Sequence, residues 1–184
     1  MAVATVDKFA FSDDSRTTLS TGLSANTAQL GAMANSGTAG YFGGGNTPGY
    51  VTTVNKFAFS DDSRTTLGTG LSSARGETLA GMANSGTAGY FGGGYVSGNV
   101  ATVDKFAFSD DSRTTLGTGL SAARRDLGGM ADSGTAGYFG GGLESAVVAT
   151  VDKFAFSDDS RTTLGTGLSA ACRALAGVAN SGTL

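Results

Sequence analysis

Apolar positions recur along this chain at a long, fixed interval rather than a helical one. Val6, Phe9, Phe11 and Leu19 return as Val54, Phe57, Phe59 and Leu67. They return again as Val103, Phe106, Phe108 and Leu116, and as Val151, Phe154, Phe156 and Leu164. Within each copy, Phe-Ala-Phe puts two aromatics on one side of a strand, because strand side chains alternate with period two. Ser12-Asp13-Asp14-Ser15 interrupts the apolar run with residues whose short side chains bond nearby backbone groups. Arg16-Thr17-Thr18-Leu19 then reads as a second strand rich in β-branched residues. Strand, polar turn and strand predict a hairpin in each copy.

Between hairpins the pattern changes but still reads as strand and turn. A loop from Thr21 to about Gln29 leads to a strand of small apolar residues, Leu30 to Ala34. Asn35-Ser36-Gly37 is a tight turn, since Asn and Gly tolerate positive φ. Thr38 to Phe42 is the next strand, closed by Gly43-Gly44-Gly45, and a connector from Asn46 to Thr53 reaches the next hairpin. One period therefore holds four short strands. The spacing from Phe9 to Phe57 to Phe106 to Phe154 is 48, 49 and 48 residues. A period in this range marks propeller blades or solenoid units. The fold class expected is all-β: a β-propeller of four-stranded antiparallel blades, with four sequence repeats of about 48 residues. The units run approximately 1–50, 51–99, 100–147 and 148–184, the last truncated, within a single domain 1–184. A β-solenoid is the alternative, but it usually repeats at shorter periods and does not call for two hairpin turns per repeat.

Two resemblances sit on these residues. Ser12-x-Asp14-x-Arg16-x-Thr18-Leu19 resembles the Asp-box of sialidases and other β-propellers. It recurs at Ser60, Asp62 and Thr66, at Ser109, Asp111 and Thr115, and at Ser157, Asp159 and Thr163. Arg stands at the family's Gly position and Leu at its aromatic. The resemblance implies a structural role, so Asp14, Asp62, Asp111 and Asp159 are expected to form turns. The longer pattern is similar to the kelch repeat. Its glycine doublet corresponds to Gly43-Gly44, Gly92-Gly93 and Gly140-Gly141. Its third-strand Tyr is replaced by Phe9, Phe57, Phe106 and Phe154, and its fourth-strand Trp by Leu19, Leu67, Leu116 and Leu164. The Arg before its first strand is matched by Arg75, Arg125 and Arg173, but not in the first copy. This likeness implies a kelch-like blade.

Naming the strands of a blade a to d, the a–b turns and the Ser-Asp-Asp-Ser c–d turns barely vary between copies. The b–c and d–a loops do vary: NTPGYVTT, YVSGNVAT and LESAVVAT on one side, SANTAQ, SSARGET, SAARRD and SAACRA on the other. In an up-and-down blade these two loop sets emerge on one face. Variable loops on a rigid scaffold are where recognition is usually carried, although loops also drift because packing does not restrain them. Candidate ligand-face residues are Asn46, Tyr50, Arg75, Tyr95, Asn99, Arg124, Arg125 and Glu144.

Composition narrows the chemistry. The chain has 184 residues with 31 Gly, one Pro, and no His or Trp. High Gly without Pro, in strict repetition, argues for tight turns rather than disorder. A net charge of −3 offers no basic surface to nucleic acid. No stretch approaches a membrane span, so no membrane insertion is expected. The lack of His removes the commonest general base and zinc ligand. Cys172 stands where the third copy has Arg124 and reads as an incidental small residue. The Gly triplets lack phosphate-loop spacing, and Asp13-Asp14 lacks a calcium-loop context. Charge pairing of Arg16 with a turn Asp is expected. No catalytic residue, metal or cofactor is assigned, and an enzyme is not expected.

The chain begins at strand c and stops just inside a strand b, with a final strand a at about 175–179. An open edge of this kind invites pairing with another chain. The leading functional expectation is a structural or self-assembling module, a homo-oligomer or filament. The alternative is a multivalent recognition module, lectin-like or a viral or cell-surface adhesin, with a glycan or protein ligand on the variable face. An extracellular, virion or cell-surface location is compatible with both.

Overall fold

A computed structural model describes residues 2–177 and the backbone of residues 179–180. The described chain is all-β. It opens with a hairpin of β1 (Asp7–Phe9) and β2 (Arg16–Thr18). The first full sheet holds β3 (Gly31–Asn35), β4 (Ala39–Gly43), β5 (Val54–Ala58) and β6 (Arg64–Thr66) in simple meander order. The second holds β7 (Ala80–Asn84), β8 (Ala88–Gly92), β9 (Val103–Ala107) and β10 (Arg113–Thr115). The third holds β11 (Gly128–Asp132), β12 (Ala136–Gly140), β13 (Val151–Ala155) and β14 (Arg161–Thr163). A short β15 (Ala179–Asn180) adds to it in parallel beside β11. The chain is thus a tandem array of four-stranded antiparallel sheets. Each sheet takes its first two strands from one sequence repeat and its last two from the next.

The turns are built as the residue types dictate. In the Ser-Asp-Asp-Ser turn, the Asp13 carboxylate accepts from the Ser15 amide at 3.0 Å, and the Asp14 amide donates to the Ala10 carbonyl at 2.9 Å. Asp14, Asp62, Asp111 and Asp159 all adopt positive φ, between 57° and 58°, a conformation that Asp tolerates better than most residues. The same contacts recur in the other three copies. Arg16 does not pair with the turn, contrary to expectation. Its guanidinium reaches Asp7 on the adjacent strand at 3.0 Å, because β1 and β2 place them on one face.

The sheets pack against one another in sequence order through their first strands, β3 against β7 and β7 against β11. This approach is very close. A methyl group at Gly81 would collide with the Ala32 carbonyl, and one at Gly129 with the Gly81 carbonyl. Glycine is required there by the neighbouring backbone rather than by φ. Two apolar cores fill the spaces between sheets. One gathers Met33, Tyr41, Val54, Leu71, Leu79, Phe91 and Phe106, and the other Met82, Tyr90, Val103, Leu127, Phe139, Phe154 and Phe156. In the second and third sheets the Phe-Ala-Phe pairs point to the same side, as the period of two requires, and join the core shared with the preceding sheet. Phe106 and Phe154 are fully buried, and each such burial contributes about 1.5–3 kcal/mol.

The final strand was expected at about 175–179. The described strand is β15, slightly later in the chain, and the expected stop at 181–184 lies outside the described residues. Among the described residues, neither β1 nor β2 pairs with the third sheet. Substituting Gly81→Ala should destabilise the fold by roughly 1–3 kcal/mol through overpacking. The Gly68→Ala control, where a methyl meets nothing within 4 Å, should be nearly neutral. Urea unfolding of the two variants compares them directly.

Candidate functional site

The variable loops do emerge together. The loop before β3 bridges the loop after β4 through Ala28 and Asn46. The pattern repeats with Gly76 and Tyr95, and with Arg125 and Leu143. These short bridges bring several sequence-selected residues into one polar cluster. Tyr50 Oη donates to Glu77 Oε1 at 2.7 Å, and Arg125 Nε lies 2.9 Å from Glu77 Oε2. The Arg125 guanidinium sits 4.9 Å above the Tyr95 ring, and its Nη1 donates to Asn99 Oδ1 at 3.2 Å. Asn99 Nδ2 in turn donates to the carbonyls of Leu143 and Glu144 at 2.9 and 3.0 Å. The bond to the Glu77 carboxylate, then partial burial, pushes the Tyr50 hydroxyl above its ordinary pKa. Tyr50, Tyr95, Asn99 and Arg125 therefore meet, with the backbone of Glu144, and bond chiefly to one another. Asn46 contributes backbone bonds to Ala28 at the same face. Glu77, not singled out from the sequence, is the acid that joins the loops.

Arg75 and Arg124 do not belong to this face. Both are fully buried inside a sheet. Arg75 Nη2 donates to Asp104 Oδ2 at 2.9 Å and to the Phe91 carbonyl at 3.1 Å. The same Asp104 oxygen accepts from the Ser72 amide and hydroxyl, each at 2.9 Å. Its other oxygen accepts from Thr115 Oγ1 at 2.7 Å and lies 3.5 Å from Arg113. Arg124, Ser121, Thr163 and Arg161 surround Asp152 in the same manner. Burial pulls both buried arginines below their ordinary pKa, while Asp104 and Asp152 oppose the shift. A loop residue turned inward because the carboxylate on strand c is buried there and needs donors. The sequence carried this signal. In the first sheet, Thr27 replaces the loop Arg and Asn55 replaces the Asp, so charge is absent from both positions together. Cys172 takes the Arg position in the last copy. Its carbonyl accepts from Gly142, as the carbonyls of Arg75 and Arg124 accept from Gly45 and Gly94.

The turn aspartates have a second role that sequence reading missed. Lys8 donates to Asp62 at 2.8 Å, Lys56 to Asp111 at 2.8 Å, and Lys105 to Asp159 at 2.7 Å. Tyr41 and Tyr90 donate to Asp111 and Asp159 at 2.9 and 2.7 Å. Their rings stack on Phe108 and Phe156, with centroids 5.2 and 5.5 Å apart. Each contact joins one sheet to the next. Burial, then the Asp159 bond, pushes the Tyr90 hydroxyl far above its ordinary range. On the same side of the array, Ser85 Oγ accepts from the Ser36 amide and Ser133 Oγ from the Ser85 amide, which links successive a–b turns.

Among the described residues there is no group of three or more His, Cys, Asp or Glu placed to hold a metal ion. Shallow grooves of about 310 and 150 Å³ lie at the two ends of the array. One is lined by Val6, Leu23, Leu30 and Phe42, the other by Met130, Leu168 and Leu175. Among the described residues no helix is long and apolar enough to cross a membrane. No family profile and no curated protein matches the sequence.

Asp104→Asn should cost roughly 3–5 kcal/mol, because it leaves Arg75 buried without its counter-charge. Adding Arg75→Thr copies the pair found in the first sheet and should recover part of that loss. A double-mutant cycle by urea unfolding should read a coupling energy of about 1–3 kcal/mol. Additive losses would refute the coupling. A raised tyrosine pKa favours the neutral form in the folded chain. Its contribution is complete below pH 10.0, the ordinary value, and is lost as pH rises beyond it. Stability measured from pH 8 to pH 11 should therefore fall less steeply in Tyr90→Phe than in the parent.

Proposed function

We propose that the chain is a structural, self-assembling module whose stacked sheets are blades of a kelch-like propeller, with copies associating through the open ends of the array. One observation carries this reading: the faces that bury against a neighbour inside the chain are exposed at its ends. Met33 and Met82 are 7% and 3% exposed, while Met130, at the same position of the third sheet, is 41% exposed. Phe106 and Phe154 are fully buried, whereas Phe9 and Phe11 of the first hairpin are 60% and 101% exposed. Aromatic and thioether surface of this kind, left open at two ends of a repeating array, is what an association surface presents. The glycine-lined contact between first strands supports the same reading, since one packing geometry serves every junction. The loop cluster of Tyr50, Glu77, Arg125 and Asn99 adds little to a recognition reading, because its polar groups bond to one another.

Native mass by light scattering, followed by electron microscopy of the same sample, tests the proposal. The expected result is a species heavier than the 18.2 kDa chain, with mass rising with concentration. A monomer across the accessible concentration range overturns it.

A further inference from the structure

The chain repeats one inter-sheet contact, and its two halves are left apart at opposite ends. At the first instance, Phe106 and Phe108 with the turn carboxylate of Asp111 meet Met33, Tyr41 and Lys56. At the second, Phe154, Phe156 and Asp159 meet Met82, Tyr90 and Lys105. The third sheet offers the same receiving set, Met130, Tyr138 and Lys153. Among the described residues neither the Tyr138 hydroxyl nor the Lys153 ammonium has a side-chain partner. The first hairpin offers the same donating set, Phe9, Phe11 and Asp14 on an identical Phe-Ala-Phe-Ser-Asp-Asp segment. The Asp14 carboxylate likewise has no cation bound to it among the described residues, and Phe11 is fully exposed.

Resting on the self-assembly reading, we propose that the first hairpin of one copy docks on the third sheet of a second copy, head to tail. Phe11 stacks on Tyr138, and the Asp14 carboxylate accepts from Lys153 and from the Tyr138 hydroxyl, as Phe108 and Asp111 do with Tyr41 and Lys56. The occupant is a second copy because shape, apolar character and charge sign are those of a contact the chain makes twice within itself. The Asp14 turn has the same backbone, with φ of 57° against 57° and 58° at Asp111 and Asp159, so it is already shaped for the site. The interface is heterologous, joining two different surfaces, and it extends into a filament or closes into a ring according to the rotation per copy.

Two variants with one dead end each test the joint. Phe11→Ala/Asp14→Asn spoils the hairpin and keeps the receiving sheet, while Lys153→Glu spoils the sheet and keeps the hairpin. Both change exposed or half-exposed positions, so both should fold, which circular dichroism checks. In sedimentation velocity each variant alone should associate at least about tenfold more weakly than the parent, the loss expected for one buried aromatic or one reversed ion pair. Mixed in equal amounts, they should form a one-to-one dimer that grows no further, because one intact joint remains. If the parent assembles and both variants assemble equally well, the joint is elsewhere and the self-assembly reading stands. If the variants lose association but the mixture does not recover a dimer, the head-to-tail pairing is wrong. If the parent is a monomer that the substitutions destabilise, the contact closes within one chain, and both the joint and the self-assembly reading fail.

Discussion

The buried carboxylate on the third strand of the second and third sheets is the interaction on which their closure depends. Asp104 draws an Arg and a Ser from the incoming loop and a Thr and an Arg from the last strand onto one point. It therefore ties the entry of the sheet to its outer edge, although those segments are tens of residues apart. A bare carboxylate in that position would be strongly unfavourable, so the arginine in the loop has little freedom to face solvent. The first sheet keeps only the outer half of this connection, in uncharged groups, with Thr66 bonding to Asn55 at 3.0 Å. There Arg64, with no acid beside it, turns to the Gly22 carbonyl at 2.9 Å and binds the preceding segment instead.

Contacts between sheets obey a different rule. They are built from an aromatic stack, a Lys–Asp pair and a shared tyrosine hydroxyl, with glycine where first strands approach. Each half of the contact lies on a different sheet, so no sheet satisfies itself. An array of such units has two unsatisfied ends unless it closes on itself, and the physical problem set by repetition is what covers them. The exposed Phe9, Phe11 and Met130 show that problem directly.

The turn aspartates show why a single residue can carry both tasks. Left-handed backbone at Asp62, Asp111 and Asp159 closes the hairpin and turns the carboxylate outward toward the preceding sheet. Its neighbours Asp61, Asp110 and Asp158 instead hold the turn itself, and the adjacent serine hydroxyl and amide keep those carboxylates below their ordinary pKa.

Much of the architecture was legible in the sequence because it is local. Period-two aromatics, Asn-Ser-Gly and Ser-Asp-Asp-Ser turns, and a spacing near 48 residues set strand count, hairpins and repeat within a residue or two of where they lie. Those features depend on backbone preferences and on side chains close in the chain. What lay beyond the sequence depends on distant partners. Arg75 and Arg125 occupy neighbouring stretches of similar loops, yet one is buried against Asp104 and the other lies over Tyr95 at the surface. Only their register differs, Arg75 matching Arg124 rather than Arg125, and burial answers a carboxylate 29 residues away. The same holds for Lys56 and Asp111, which are 55 residues apart in sequence and 2.8 Å apart in space. The sequence by itself determined a repeated strand-and-turn unit. Tertiary packing decided which charges turn inward, which join neighbouring sheets, and which remain open at the ends.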